Sequence, residues 1–171
     1  GRRVLVVDLD PQGNATSGLG VDRTAVDSSI YPALVGDTPA RDLARPTQVD
    51  SLWVIPSARD LAGAEVELVA LGQRERRLER ALGGLRHEYD HILLDCPPAV
   101  GLLTVNALTA ADGVLVPIQC ENYSLEGLSQ MLSTIELVRD HLNPRLRLAG
   151  VVLTMYDSRT TLSADVAREV R

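Results

Sequence analysis

Lysine is absent from the chain, and all 17 basic residues are arginine. Any site that depends on a lysine ammonium is therefore excluded from these 171 residues. Cysteine is scarce: Cys96 and Cys120 are the only two, which is no disulfide framework and points to a reducing compartment. Long apolar runs are also missing, since none approaches the ~18 residues of a membrane-spanning helix. The opening GRRVLVVDLDP has two arginines and an apolar run. It is too short for a signal-peptide core and has no small-residue cleavage site. An excess of positive charge is lacking as well. The formal net charge of -6 argues against a protein that coats DNA over its whole surface, while leaving room for a local basic patch.

What is present is ordinary for a globular protein: 45% hydrophobic and 23% charged residues. The length suits one domain with a real core. Five short apolar runs, at 4–9, 52–55, 92–94, 114–118 and 148–153, read as strands. They are nearly continuous rather than alternating, the pattern of strands buried on both faces in a parallel sheet. Helical segments lie between them. Thr38-Pro39 suits the start of a helix to Ala44, and Asp60 suits the cap of one running to about Leu71. An arginine-rich segment covers 73–85, and 101–110 forms a helix between strands. Ser124 is placed to cap the clearest helix, with Leu125, Leu128, Met131, Leu132, Ile135, Val138 and Leu142 along one face. A last helix starts near Thr161. Strands alternating with helices predict an α/β, doubly wound, mostly parallel sheet with helices on both faces. Both ends look cut: the first strand has no helix before it, and the last helix reaches residue 171 with no stop signal.

In open α/β sheets, ligands sit outside the carboxyl ends of the strands. The residues just past each apolar run are therefore the informative ones. They include Asp8, Asp10, Pro11 and Gln12; Asp95, Cys96 and two prolines; Gln119, Cys120, Glu121 and Asn122; and Thr154, Met155, Tyr156 and Asp157. Carboxylates at several strand ends suit a hard cation, or water attacking a phosphoryl group. Each acid taken alone suits a helix cap or an arginine partner equally well. Asp95, closing ILLDCPP, is the stronger candidate, because an apolar strand ending in Asp commonly holds the magnesium beside a nucleotide.

The stretch VLVVDLDPQGNATSGLG then poses a problem. Gly13 and Gly18 have the spacing of a phosphate-binding loop and follow a strand. Leu19 and Gly20 stand where the lysine and the hydroxyl residue belong. The loop is accordingly read as a turn-rich connection and not a phosphate cradle. Paired acids after a strand also resemble the start of a phospho-receiver domain. Receivers need a lysine after the fifth strand, which this chain lacks, and have no equivalent of the 53–85 excursion.

Across nearly the whole chain, VLVVDLDPQGNATSGLGV, LAGAEVELV, HILLDCPPAVGLLTVNALTAAD, VPIQCENYSLEGLSQML and GVVLTMYDSRTTLSADVAREV strongly resemble the ParA/Soj chromosome- and plasmid-partitioning ATPases. The resemblance implies a P-loop NTPase fold that is incomplete here, with 1–171 as one partial nucleotide-hydrolase domain. In that family the phosphate loop is a deviant Walker A motif, KGGxGKT, on an earlier strand and helix. That strand would lie beside 92–94, so binding of ATP and Mg2+ would require a segment preceding this sequence.

Roles follow from the matching positions. Asp10 is implied to orient the attacking water, with Asp8 and Pro11 beside it at the nucleotide. Asp95 is implied to help hold magnesium. Thr154, Met155 and Tyr156 are implied to approach the adenine side. Arg159 is implied to contact DNA without sequence preference, although an exposed arginine on a loop has a blander reading. Cys96 and Cys120 read as small residues near strand ends, since neither has an evident base beside it. The implied protein is an ATP hydrolase that dimerises when ATP-bound and binds DNA non-specifically. A ParB-type partner stimulates it, and it is cytoplasmic, nucleoid-associated and free of the membrane. The alternatives are a MinD-like septum-positioning ATPase, which would need a C-terminal amphipathic helix, and a non-enzymatic binding scaffold.

Overall fold

The computed structural model describes residues 1–22, 29–120, 124–157 and 159–170, with the side chains of 124–126 and 162–164 left aside. Ser124 as a cap, Leu125 on its helix face, and Glu121 and Asn122 as site neighbours lie outside what is described. The chain separates into two compact units, Gly1–Ala110 and Ala111–Arg171.

In the first unit, β1 (Val4–Asp8) is central in a four-stranded sheet with β2 (Arg45–Pro46), β3 (Leu52–Ile55) and β4 (His91–Asp95), in the order β2-β3-β1-β4. β1 runs parallel to both neighbours, with Val7 opposite Ile55 on one side and Asp8 opposite Asp95 on the other. This register brings the ends of β1 and β4 level. Apolar β-branched and leucine side chains fit a pleated, buried surface. Accordingly Leu5, Val7, Leu9 and Ile55 enter one core with Leu61, Leu68, Leu78 and Leu103 from the helices. Those helices are α2 (Tyr31–Val35), α3 (Leu61–Val69), α4 (Arg77–Leu82) and α5 (Leu102–Ala110). A short α1 (Asn14–Gly18) follows β1.

In the second unit, β5 (Gly113–Gln119) and β6 (Arg147–Thr154) pair in parallel, with α6 (Ser124–His141) between them and α7 (Thr161–Val170) after. On α6, Ile135 and Val138 are buried and Leu128, Met131, Leu132 and Leu142 are half-buried, as the apolar stripe predicts.

The α/β class stands, with parallel pairing throughout except at β2, which lies antiparallel to β3. The described strands form a four-stranded sheet in the first unit and a two-stranded sheet in the second. Burial differs from expectation at two strands. β4 and β5 alternate in burial instead of being buried on both faces, with Leu93 57% and Leu115 61% exposed. Burial of a second face needs a covering layer, and none covers these side chains among the described residues. The short helix expected up to Ala44 is a 3-10 helix, Ala40–Leu43, with the extended Pro39 at its N-cap and Ala44 at its C-cap. β2 itself escaped the sequence reading because two residues show no periodicity. Its Pro46 is tolerated because β2 is an edge strand.

Candidate nucleotide-hydrolysis site

β1 ends in Asp8, and the chain then turns back toward the sheet. Gly13 makes that turn possible by adopting φ 63°, ψ 36°, a left-handed conformation that side chains disfavour. Its N–H donates to the Asp10 carbonyl at 2.8 Å, and α1 begins at once. The first N–H groups of a helix lack internal partners. Here Asp8 supplies one. Its Oδ2 accepts from the Thr16 N–H at 2.7 Å and from the Thr16 hydroxyl at 2.6 Å, and its Oδ1 accepts from the Asp10 N–H at 3.1 Å. Asp8 and Thr16 are both 0% exposed.

The glycine-rich stretch is therefore a short helix clamped to the sheet, not the loose connection its composition suggested. Its rejection as a phosphate cradle gains a physical reason, because the anion bound at this turn is the protein's own Asp8.

Asp10, half-buried, accepts from the Gln12 N–H at 2.9 Å through Oδ1, and Pro11 beside it is also half-buried. Across the sheet, the Leu9 N–H donates to the Asp95 carbonyl at 2.8 Å, continuing the β1–β4 ladder past the strand end. Asp95 is exposed. Desolvation of its carboxyl, and then the charges of Asp8 and Asp10, hold its pKa above the usual carboxylate range. The acids at the β1 and β4 ends thus form one electrostatic group. Next to them, burial and the Asp95 charge push the Cys96 thiol up to about 12, which disfavours a thiolate nucleophile. Cys120 is buried.

The segment after Asp95 is pinned from two sides. The Thr104 hydroxyl donates to the Ala99 carbonyl at 2.8 Å, and the Glu65 carboxylate accepts from the Leu103 N–H at 3.3 Å. A Cβ at Gly101 would run into Glu65 Oε1, so a side chain at this position would displace Glu65.

Thr154, Met155 and Tyr156 follow β6 in the second unit. The Thr154 hydroxyl donates to the Ile118 carbonyl at 3.1 Å, and its own carbonyl accepts from the Cys120 N–H at 3.2 Å. Met155 takes φ 54° and is 79% exposed, and Tyr156 is exposed as well. A left-handed, solvent-facing methionine is costly and marks a candidate contact position. Arg159 is exposed and ion-paired with Asp157.

Thr16 and Ser57 escaped the sequence reading. The Ser57 N–H donates to Thr16 Oγ1 at 2.9 Å, and its hydroxyl donates to the Asp10 carbonyl at 2.6 Å. The only signal available in advance was the place of Ser57 two residues past the end of β3; Thr16 lies eight residues beyond β1 and carried none. Among the described residues, no group of three or more His, Cys, Asp or Glu side chains is placed to hold a metal, and no helix is long and apolar enough to cross a membrane.

A family model described as an AAA domain matches residues 1–148. The chain is 54% identical over 171 residues to the sporulation initiation inhibitor protein Soj of Bacillus subtilis (strain 168), covering 100% of this chain and 68% of that protein. The chain belongs to the ParA/Soj family. It is 55% identical over 170 residues to the chromosome partitioning protein ParA of Myxococcus xanthus (strain DK1622), covering 99% of this chain and 60% of the relative. The chain thus spans about two thirds of the length of these ParA/Soj relatives.

A solved structure of cobyrinic acid a,c-diamide synthase from Mycobacterium smegmatis, with bound ADP and magnesium, is also similar. The TM-score is 0.93 at 45% identity, over 99% of this chain and 69% of that one. A plasmid partition protein from Borrelia burgdorferi, 23% identical with a TM-score of 0.84 over 99% of this chain and 72% of its own, shares the ParA-like fold.

Proposed function

We propose that this chain carries the hydrolytic half of a ParA/Soj-type partitioning ATPase, acting on chromosomal or plasmid DNA once the protein has the full length of its relatives. The observation that supports it best is the register that sets Asp95 opposite Asp8, two residues before the backbone-fixed Asp10, so that these acids gather at one edge of the sheet. Phosphoryl transfer calls mainly for positioning and charge stabilisation, and two acids at one sheet edge meet that need. Asp10 orients the attacking water and accepts its proton, while Asp8 and Pro11 hold Asp10 in place beside the nucleotide.

Asp95 fits a magnesium ion. One exposed carboxylate, raised in pKa by desolvation first and then by its acidic neighbours, matches a cation that keeps most of its waters and takes few protein ligands. When bound there, magnesium would neutralise phosphate charge. Thr154, Met155 and Tyr156 approach the adenine side. The nucleotide loop belongs beside the free edge of β4, in a segment outside these 171 residues. ATP binding drives homodimerisation, the dimer binds DNA non-specifically through Arg159, and a ParB-type partner stimulates hydrolysis in the cytoplasm on the nucleoid.

The test uses the protein extended to the full length of its relatives. Asp10→Ala should abolish hydrolysis and leave ATP-dependent dimerisation intact. Asp95→Ala should weaken magnesium-dependent nucleotide binding as well. Equal defects of both variants in both steps would overturn these roles.

A further inference from the structure

Four hydrogen bonds close a ring behind Asp10. Asp8 Oδ1 accepts the Asp10 N–H, and the Asp10 carbonyl accepts the Ser57 hydroxyl. The Ser57 N–H donates to Thr16 Oγ1, and the Thr16 hydroxyl donates to Asp8 Oδ2. Asp8, Thr16 and Ser57 are each 0% exposed. We infer that Thr16 and Ser57 are positioning residues for Asp10, acting through this ring. The inference rests on the reading of Asp10 as the water-orienting acid.

The geometry favours positioning over simple glue for three reasons. First, the ring grips Asp10 only by its backbone, at the N–H and the carbonyl. Its carboxylate stays outside the ring, engaged by the exposed Gln12 N–H at 2.9 Å. Two backbone anchors on one residue set the direction of its Cα–Cβ bond, and so set where the carboxylate can reach. Second, the ring joins separate pieces of chain. Ser57 comes two residues after the end of β3, whose Ile55 pairs with Val7 of β1, so a shift of that loop would be felt at Asp10. Third, the ring holds a buried carboxylate that has three donors. Removing one donor from such a group leaves it under-satisfied and strains the rest.

Two substitutions separate positioning from folding. Ser57→Ala removes one anchor from the Asp10 carbonyl, which keeps the Gly13 N–H at 2.8 Å, so no buried polar group is orphaned. Thr16→Val removes the hydroxyl at constant shape, and Thr16→Ser restores it. In the protein extended to the full length of its relatives, we expect Ser57→Ala and Thr16→Val to lower turnover at saturating MgATP by about 10- to 100-fold, the scale of a misplaced catalytic group. The nucleotide dissociation constant should stay within about 2-fold, because only transition-state positioning is lost. Thr16→Ser should recover most of the turnover.

In the 171-residue chain itself, hydrogen exchange should show the Ser57 amide losing protection in Thr16→Val while the Leu5 and Val7 amides keep theirs. Where Thr16→Val unfolds, Ser57→Ala decides. Wild-type turnover in Ser57→Ala, alongside an inactive Asp10→Ala, would overturn the positioning role and leave the reading of Asp10 standing. An active Asp10→Ala would overturn both.

Discussion

Arg159 and Asp157 form a two-point ion pair, with Nε 3.0 Å from Oδ1 and Nη2 2.8 Å from Oδ2. The Arg159 N–H also donates to Asp157 Oδ1 at 2.9 Å, so the aspartate gathers the loop around itself before it meets the guanidinium. Those bonds, the side-chain one first, hold the Asp157 carboxyl below the usual carboxylate range. The residue proposed to touch DNA is thus partly neutralised by its own neighbour. Arg168 on α7 is similarly paired with Asp165 at 2.9 Å.

This pairing sharpens what a DNA experiment should find. Each phosphate neutralised adds about -0.9 to the slope of log affinity against log salt. In the full-length, ATP-bound dimer, Arg159→Ala should flatten that slope by about 2, one contact per subunit, on any duplex. Asp157→Asn removes the competing anion and should strengthen DNA binding at low salt. A salt titration on two unrelated duplexes checks both. An unchanged slope in Arg159→Ala, or a loss confined to one duplex, would remove Arg159 from the interface.

Stability offers a test independent of nucleotide. Asn106 is fully buried on α5, where its Oδ1 accepts the Leu78 N–H at 3.0 Å. Its Nδ2 donates to the Arg74 carbonyl at 2.8 Å and the Leu102 carbonyl at 2.9 Å. It thereby caps the start of α4 from another helix. Asn106→Leu keeps the branched outline but strands the Leu78 N–H and the Arg74 carbonyl. Each buried unsatisfied group costs about 1–3 kcal/mol. A lower urea midpoint at unchanged slope is the expected result. An unchanged midpoint would show that these bonds contribute nothing net.

The strands were legible because apolar runs mark them directly, and the acids at their ends were legible because ligand sites follow strand termini. Three features were hidden for definite reasons. Thr16 and Ser57 matter only once β1 and β3 are neighbours, and no local pattern states that pairing. The helix at Asn14–Gly18 is too short for a periodic signal and depends on a carboxylate eight residues from Thr16 in the chain. The alternating exposure of β4 was masked because Leu93 is as apolar as its half-buried neighbours Ile92 and Leu94, so composition said nothing about which face would be covered. Thr38-Pro39 did mark a helix start, but residue types that open α-helices open 3-10 helices as well, so the kind of helix at Ala40–Leu43 was not legible.

Asp95 provides the last prediction, through pH. Its carboxyl is held above the usual range by desolvation first, and then by Asp8 and Asp10. The folded state therefore binds this proton more tightly than the unfolded state does. Stability falls as pH rises from the ordinary carboxylate value through the folded value, and the penalty persists above it. Asp95→Asn removes the penalty, so it should raise the Tm at neutral pH and leave it unchanged below the carboxylate range. Because the residue is exposed and screened by solvent, the rise should stay under the ~2–4 °C that 1 kcal/mol produces in a chain of this size. Carboxyl-carbon NMR provides a direct check. The Asp95 midpoint should lie above that of an ordinary aspartate, and Asp10→Asn should move it downward by removing one like charge. An ordinary midpoint, unmoved by Asp10→Asn, would show that the two carboxyls do not sense each other. The proposed hydrolysis site would then lose its electrostatic basis.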